Sequence, residues 1–413
     1  MATHKSLTTG NSSKAAVFAG FLGWTLDAFD FFLVVFCLTS IAAEFHRSDR
    51  EIALSLTLTL AFRPVGALIF GSLADRYGRR LPLMLDLVFY SIVEVLTGLA
   101  PGYKSFLVLR ALFGIGMGGE WGVGACLAME SAPPKWRGVL SGLLQEGYAA
   151  GYLLAAIAYF FVFPHLGWRP LFFLGGLPAL LALYVRWGVG ESEVWKQSPR
   201  FTWADWHRGI ADNWKLMIYL TILMAAMNFS SHGTQDLFPT FLQRDWNQNP
   251  RARAVITAVS MVGAICGGVL FGLASDRFGR RRSMLLAFIL AAMTVPLWAY
   301  SPRLGLLVLG AFVMQFMVQG AWGVIPAHIN ELAPDNVRGF LPGFAYQCGA
   351  LFGGTISAIQ TAYAAHRGYS NALATTMWIV FAFAFVVIMV GREKRGVQFG
   401  RTAVARAIER SDN

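Results

Sequence analysis

The segment NFSSHGTQDLFPT, Asn228 to Thr240, sets amides, hydroxyls, an imidazole and a carboxylate into an otherwise apolar stretch of chain. Asn228, Ser231, His232, Gln235 and Asp236 recur at i, i+3, i+4, i+7 and i+8, so at about 100° per residue they share one helix face roughly 140° wide. In a membrane-spanning helix such a stripe is tolerated where it lines a protein-enclosed cavity rather than lipid. An unperturbed imidazole titrates nearer neutral pH than other side chains, which singles out His232, and Asp236 one turn later can hold its charged form or share its proton. The chemistry on offer is reversible protonation beside a row of hydrogen-bonding groups. The plainer role for His232 is that of a hydrogen-bond donor between helices. Pro239, on the same face, kinks or breaks the helix beside these groups.

A second set lies in the first half of the chain. Arg63 stands in the middle of LTLAFRPVGALIFG, where inserting an arginine costs roughly 2.5 to 3.5 kcal/mol. Its planar guanidinium can form two parallel bonds to a carboxylate substrate. The alternative is a permanent pair with Asp27 or Asp30. Those two, in GWTLDAFDFFLV, are three residues apart on one helix face, where each carboxylate raises the other's affinity for protons. Glu120 is either a proton site or a buried glutamate bonded to a neighbouring helix. Gln145, Glu146, Tyr148 and Gln347 are further cavity candidates.

The elements that must carry these residues are membrane helices. The chain is 56% hydrophobic and only 14% charged, with repeated apolar runs of a length that crosses a bilayer. The runs predict an all-α integral membrane protein with twelve spans, near 15–42, 52–74, 81–100, 104–130, 138–163, 168–187, 214–241, 253–275, 283–301, 303–332, 339–365 and 370–391. Residues 1–14 read as a retained cytosolic tail and 392–413 as a basic, solvated or lipid-touching cytosolic tail. With both termini inside, the Lys and Arg residues concentrate on cytosolic segments, so the net charge of +11 reports topology and not a nucleic-acid partner.

The chain also repeats itself. FGSLADRYGRR from Phe70 recurs as FGLASDRFGRR from Phe271, an offset of 201 residues, and the same offset carries GEWG with ESAPPKWRG onto GAWG with ELAPDNVRG. This predicts two pseudo-symmetric six-helix halves, 15–187 and 214–391, joined by a tryptophan-rich cytosolic linker, 188–213, whose amphipathic pieces lie on the surface. The offset sets Asp27 opposite Asn228, Asp30 opposite Ser231 and Glu146 opposite Gln347. In the repeated loops, Asp75 and Asp276 can meet the positive end of a neighbouring helix or an arginine such as Arg137 or Arg338.

Loops of the form G-x-L-A-D-R-x-G-R-R after the second and eighth spans resemble the signature of the major facilitator superfamily, over essentially the whole chain. The seventh span resembles the N-x-x-[ST]-H-x-[ST]-Q-D-x-x-x-T signature of its sialate:proton symporter family, which includes Jen-type lactate and pyruvate permeases. Asn228, Ser231, His232, Thr234, Gln235, Asp236 and Thr240 match it. The resemblance implies that Asn228, His232, Gln235 and Asp236 line the route of a carboxylate and couple it to protons. It also implies that Asp75, Arg76, Arg137, Asp276, Arg277 and Arg338 form a cytosolic gate, shut while the carrier faces outward.

The implied protein is a monomeric carrier of the inner (plasma) membrane, not an enzyme, with a small carboxylate, protons and lipid as its partners. Twelve spans and short tails favour a monocarboxylate over sialic acid. Proton-driven export of amphipathic compounds is a weaker alternative, because the fifth span, GVLSGLLQEGYAAGYLLAA, has the glycines of that class without its proline. No cofactor is implied. Cys37, Cys126, Cys266 and Cys348 are scattered singly, no nucleotide-binding loop is present, and the formal GxGxxG of Gly114, Gly116 and Gly119 reads as close helix packing.

Overall fold

In a bilayer a helix satisfies its own backbone hydrogen bonds, and the apolar runs of this chain take that solution throughout. The computed structural model describes residues 3–198 and 202–400, and every regular element among them is a helix. The first half consists of α1 (Thr3–Glu44), α2 (Asp49–Tyr77), α3 (Arg80–Gly98), α4 (Tyr103–Ser131), α5 (Arg137–Gln145) continued by α6 (Gly147–Leu166), and α7 (Arg169–Leu174) continued by α8 (Pro178–Gly188). Two short helices, α9 (Glu193–Gln197) and α10 (Trp203–Asp212), form the connection. The second half has α11 (Trp214–Gln235) continued by α12 (Phe238–Arg244), α13 (Pro250–Phe278), α14 (Arg280–Ala299), α15 (Leu304–Leu332), α16 (Leu341–Gly353) continued by α17 (Thr355–Arg367), and α18 (Tyr369–Val390).

Eleven segments among the described residues are long and apolar enough to cross a membrane. The remaining expected span, 339–365, is present as α16 and α17 laid end to end, together about 40 Å at 1.5 Å per residue. It falls short on composition because α17 carries Ser357, Gln360, Thr361, His366 and Arg367. The other boundaries agree with the apolar runs, but α1 begins at Thr3, inside the stretch expected as a tail. Residues 401–413 of the expected basic tail and 199–201 of the linker lie outside the described residues.

Local chemistry explains where helices start and stop. Ser48 caps α2: its Oγ accepts from the Glu51 amide, while Glu51 Oε2 accepts from the Ser48 amide. Pro250 follows the Asn249 cap of α13. Gly78 and Gly279 end α2 and α13 at φ of +99° and +102°, a region only glycine enters cheaply, which is why both loop copies carry it. Pro239, in the first turn of α12, forces the break after α11 that the sequence predicts. At Gly114 an added Cβ would collide with the Thr59 carbonyl oxygen, so that glycine run does serve close packing of α4 on α2.

The two halves meet through α5, packed on α13 and α15, and through α16, packed on α2 and α4. Their continuations do otherwise: α6 packs on α1 and α7, and α17 on α18 and α11, each within its own half. The halves are therefore sealed at the end bearing the repeated loops, called here the latch end, and diverge toward the other. Trp24, Trp121 and Tyr346, all nearly buried, close the space above the latch, with Trp121 stacked on Tyr346 at 4.3 Å between ring centroids.

Candidate functional site: a cavity above a closed latch

The polar face of α11 stands where the halves diverge. Asn228 is buried, and its Nδ2 donates to the Met224 carbonyl. Ser231 Oγ accepts from Gln319 Nε2 at 3.0 Å, and Gln235 Nε2 donates to Gln315 Oε1 at 2.8 Å, so α15 holds one flank of the stripe. The other flank is held by α17, whose Ser357 Oγ donates to Asp236 Oδ2 at 2.7 Å. His232 Nδ1 lies 3.3 Å from Asp236 Oδ1. These two side chains are 36% and 37% exposed in a helix that is half buried, so the pair faces open space at the break between α11 and α12. A proton can be exchanged there between an imidazole and a carboxylate that are both accessible.

Across the interface the first half gathers charge without matching it. Asp27, Asp30, Asp86, Glu94 and Glu120 are all essentially buried, together with Arg63 and Arg110. Arg110 is bonded to Glu94, and also donates to Thr97 Oγ1. Both carboxylate oxygens of Asp27, Asp30 and Asp86 lack a hydrogen-bond partner. Arg63 makes no ion pair with Asp27 or Asp30 within 4.0 Å; its Nε and Nη2 are unbonded, and the guanidinium lies 5.7 Å from the Tyr346 ring centroid. Glu120 Oε2 is likewise without a partner. Tyr148 stands between the sets, within electrostatic range of Asp27 and Arg63 on one side and Asp236 on the other.

The remaining cavity candidates point elsewhere. Gln347 Nε2 donates to the Gly118 carbonyl at 3.4 Å across the seam between the halves, whereas Gln145 Oε1 accepts from Trp121 Nε1 at 3.4 Å within the first half. Glu146 presses against Gly268 of α13. None of these three joins the His232 and Asp236 pair.

At the latch end the two carboxylates take the helix-terminus option left open by the sequence. Asp75 accepts from the amides of Gly339 and Phe340 ahead of α16, at 2.6 and 3.1 Å, and Asp276 accepts from those of Gly138 and Val139 at the start of α5, at 2.8 and 3.1 Å. Each bond crosses from one half to the other. Arg137 and Arg338 instead reach Glu331 and Glu130, at 3.0 and 3.5 Å, again across the interface. Arg79 ties Asp75 to Glu130, and Arg280 ties Asp276 to Glu331. Arg76 is half-buried and Arg277 exposed; the ion pairs at the two aspartates belong to the arginines three residues further on.

The C-terminal segment departs from the solvated tail expected of it. Glu393 accepts from the amides of Arg280 and Arg281 at 3.2 and 2.9 Å, as Glu191 does from Arg79 and Arg80. Val397 accepts from Arg137 at 3.0 Å, and the Phe399 ring lies 3.9 Å from both the Arg137 and Arg338 guanidiniums. Burial, with Arg392 and Arg338 nearby, pushes the Lys394 ammonium below its usual range. The physical reason is pairing: cations from both halves converge where an aromatic face and a carbonyl can receive them.

Sequence reasoning missed Gln315, Gln319, Ser357, Asp86, Glu94, Arg110, Arg79, Arg280, Glu130, Glu331 and Phe399. Most carried a signal: polar residues inside apolar spans, or, for the two arginines and two glutamates, identical placement in both loop copies.

Comparison with known proteins agrees with this architecture. The family model described as "Sugar (and other) transporter" matches residues 10–204 and 224–392. The carboxylic acid transporter protein homolog of Saccharomyces cerevisiae is 32% identical, over 91% of this chain and 68% of its own length. The sialic acid transporter NanX of Escherichia coli is 28% identical, over 92% and 93%. Among solved structures, the major facilitator proton:xylose symporter XylE superposes with a TM-score of 0.78 at 16% identity, covering 96% of this chain and 99% of that one, a likeness of fold.

Proposed function

Because the chain belongs to the sugar (and other) transporter family of the major facilitator superfamily, we propose that it carries a small monocarboxylate of the lactate and pyruvate type together with a proton, by alternating access. The observation that carries the reading is the accessible His232 and Asp236 pair at a helix break, facing a half whose Arg63 has no ion-pair partner. An unpaired guanidinium in a low-dielectric cavity is offset when a substrate carboxylate binds it, and a bidentate match makes it selective for that group. The proton enters through His232 and Asp236. The partnerless carboxyls of Asp27, Asp30 and Asp86 give it places to reside, since an ionised carboxylate buried without donors is costly.

The latch supplies the alternation. In this conformation Asp75, Asp276 and the two arginine-glutamate pairs hold the latch end shut while the cavity faces the other side. With positively charged loops inside, the latch end is cytosolic, the membrane is the inner (plasma) membrane and the state is outward-facing. A single chain contains the whole cavity, so a monomer suffices. The likeness to NanX supports sialic acid as a second reading.

Proteoliposomes with an inward proton gradient test this directly. Labelled lactate should accumulate, compete with pyruvate and acetate, and fail to accumulate once a protonophore is added. Competition by sialic acid alone would move the assignment to that substrate. Expulsion of substrate by an inward proton gradient would make the carrier an antiporter and sink the symport reading.

A further inference from the structure

On the lipid-facing side of the latch end, a groove of about 560 Å³ is lined by Arg80, Leu81 and Met84 at the start of α3, Arg186 and Trp187 at the end of α8, and Glu191. Its charges are unspent. Arg80 Nε is buried without a hydrogen-bond partner, and Arg186 has neither hydrogen bond nor ion pair among the described residues. The Glu191 carboxylate leaves the lining one positive charge in excess, but it forms no ion pair with either arginine, because its Oε1 accepts from the Arg79 and Ser192 amides and its Oε2 from the Arg80 amide.

The internal repeat supplies a control within the same molecule. Arg281 is the counterpart of Arg80 at the 201-residue offset. Its guanidinium donates to the Ile388 carbonyl at 2.9 Å and also to Met389, closing the end of α18. In the first half the equivalent helix end, α8, receives no such cap. Arg80 faces the groove, where a second arginine has been added.

Two guanidiniums side by side match a phosphate oxygen pair, and Leu81 and Trp187, 50% and 77% exposed, offer an apolar and aromatic wall at the depth where tryptophan meets lipid head groups. Inorganic phosphate would gain nothing from that wall. We propose that this groove binds an anionic phospholipid of the leaflet on the latch side, its phosphate held between Arg80 and Arg186 and its glycerol and upper acyl chain lying on Leu81, Met84 and Trp187. Arg79, the neighbour of Arg80, bonds Asp75 and Glu130 in the latch, so the bound lipid sits one residue from the gate.

The test is binding, independent of any transport substrate. Delipidated full-length protein in detergent is titrated with dioleoyl phosphatidylglycerol, with phosphatidylcholine and with inorganic phosphate, and bound species are counted by native mass spectrometry. Phosphatidylglycerol should be retained in preference to phosphatidylcholine, and millimolar phosphate should fail to displace it. The double variant Arg80→Gln with Arg186→Gln should weaken retention about tenfold, whereas Arg392→Gln, an exposed latch-end charge outside the groove, should not. If the double variant does not fold, Arg186→Gln alone changes only an exposed residue and should still lower retention severalfold. Equal binding of phosphatidylcholine, displacement by phosphate, or unchanged retention in the Arg186→Gln protein would each overturn the proposal.

Discussion

At the scale of single residues, the site is a contrast between groups that are satisfied and groups that are left waiting. Gln235, Ser231 and Thr234 are bonded to α15, whereas His232 and Asp236 hold each other loosely in an open cavity. Replacing Asp236 with Asn, or His232 with Ala, should abolish proton-driven accumulation while leaving the protein folded in the membrane; wild-type accumulation by either variant would remove that residue from coupling. Arg63→Lys keeps a charge and loses the two-pronged fork. Apparent affinity for lactate should therefore fall about tenfold, the equivalent of roughly 1.4 kcal/mol. An unchanged KM in proteoliposome uptake would mean that Arg63 meets no substrate. The polar stripe of α11 was legible because it interrupts an apolar helix with a 3.6-residue period. Its partners Gln315 and Gln319 show the same i, i+4 signal, but only packing reveals that they face α11.

At the scale of elements, the latch is built from helix ends and loops. Glu331 receives Arg137 from the opposite half and Arg280 from its own, and Glu130 receives Arg338 and Arg79 in the same way. Removing one partner from such a buried network leaves guanidiniums uncompensated, at a cost of about 3 kcal/mol or more. Glu331→Gln should therefore shift the carrier toward states open at the latch end. Spin-label distances between α5 and α13 would lengthen, and Glu130→Gln should act likewise because the sites are related by the repeat. Phe399→Ala should produce a smaller opening, since a desolvated cation over an aromatic face contributes about 1 to 2 kcal/mol. Distances matching those of the unaltered protein would assign the C-terminal segment no share in closure. The repeated aspartates announced a junction in the sequence. That they meet helix amides across the interface, and Arg79 and Arg280 within their own halves, in place of Arg137 and Arg338, depended on how α5 and α16 approach from the opposite half.

At the scale of the whole molecule, the proposed cycle has an energetic signature. One proton moving with one monocarboxylate anion is electrically neutral, so membrane voltage should leave the limiting gradient unchanged. A difference of one pH unit should sustain about a tenfold ratio of anion. Uptake should rise as the outside is made more acidic, and by linkage bound lactate must raise the proton affinity of the site as much as protonation raises the affinity for lactate. Proton uptake on adding lactate to weakly buffered, detergent-solubilised protein measures that reciprocity; a gradient that tracks voltage would point to another stoichiometry.

The membrane class, the helical fold and the two-half plan followed from the chain alone, because apolar run length and an internal offset are one-dimensional properties that a bilayer translates directly into spans. The break at Pro239 and the tight seat of Gly114 were legible for the same reason: each is a local backbone constraint. Tertiary structure alone decided that Arg63 makes no ion pair with Asp27 or Asp30, that Gln347 ties the seam while Gln145 bonds within its own half, and that the C-terminal segment folds back onto Arg137 and Arg338. Those outcomes depend on the distance and angle between residues far apart in sequence. Pairwise electrostatics and packing settle them, and neither has a period that a sequence can display.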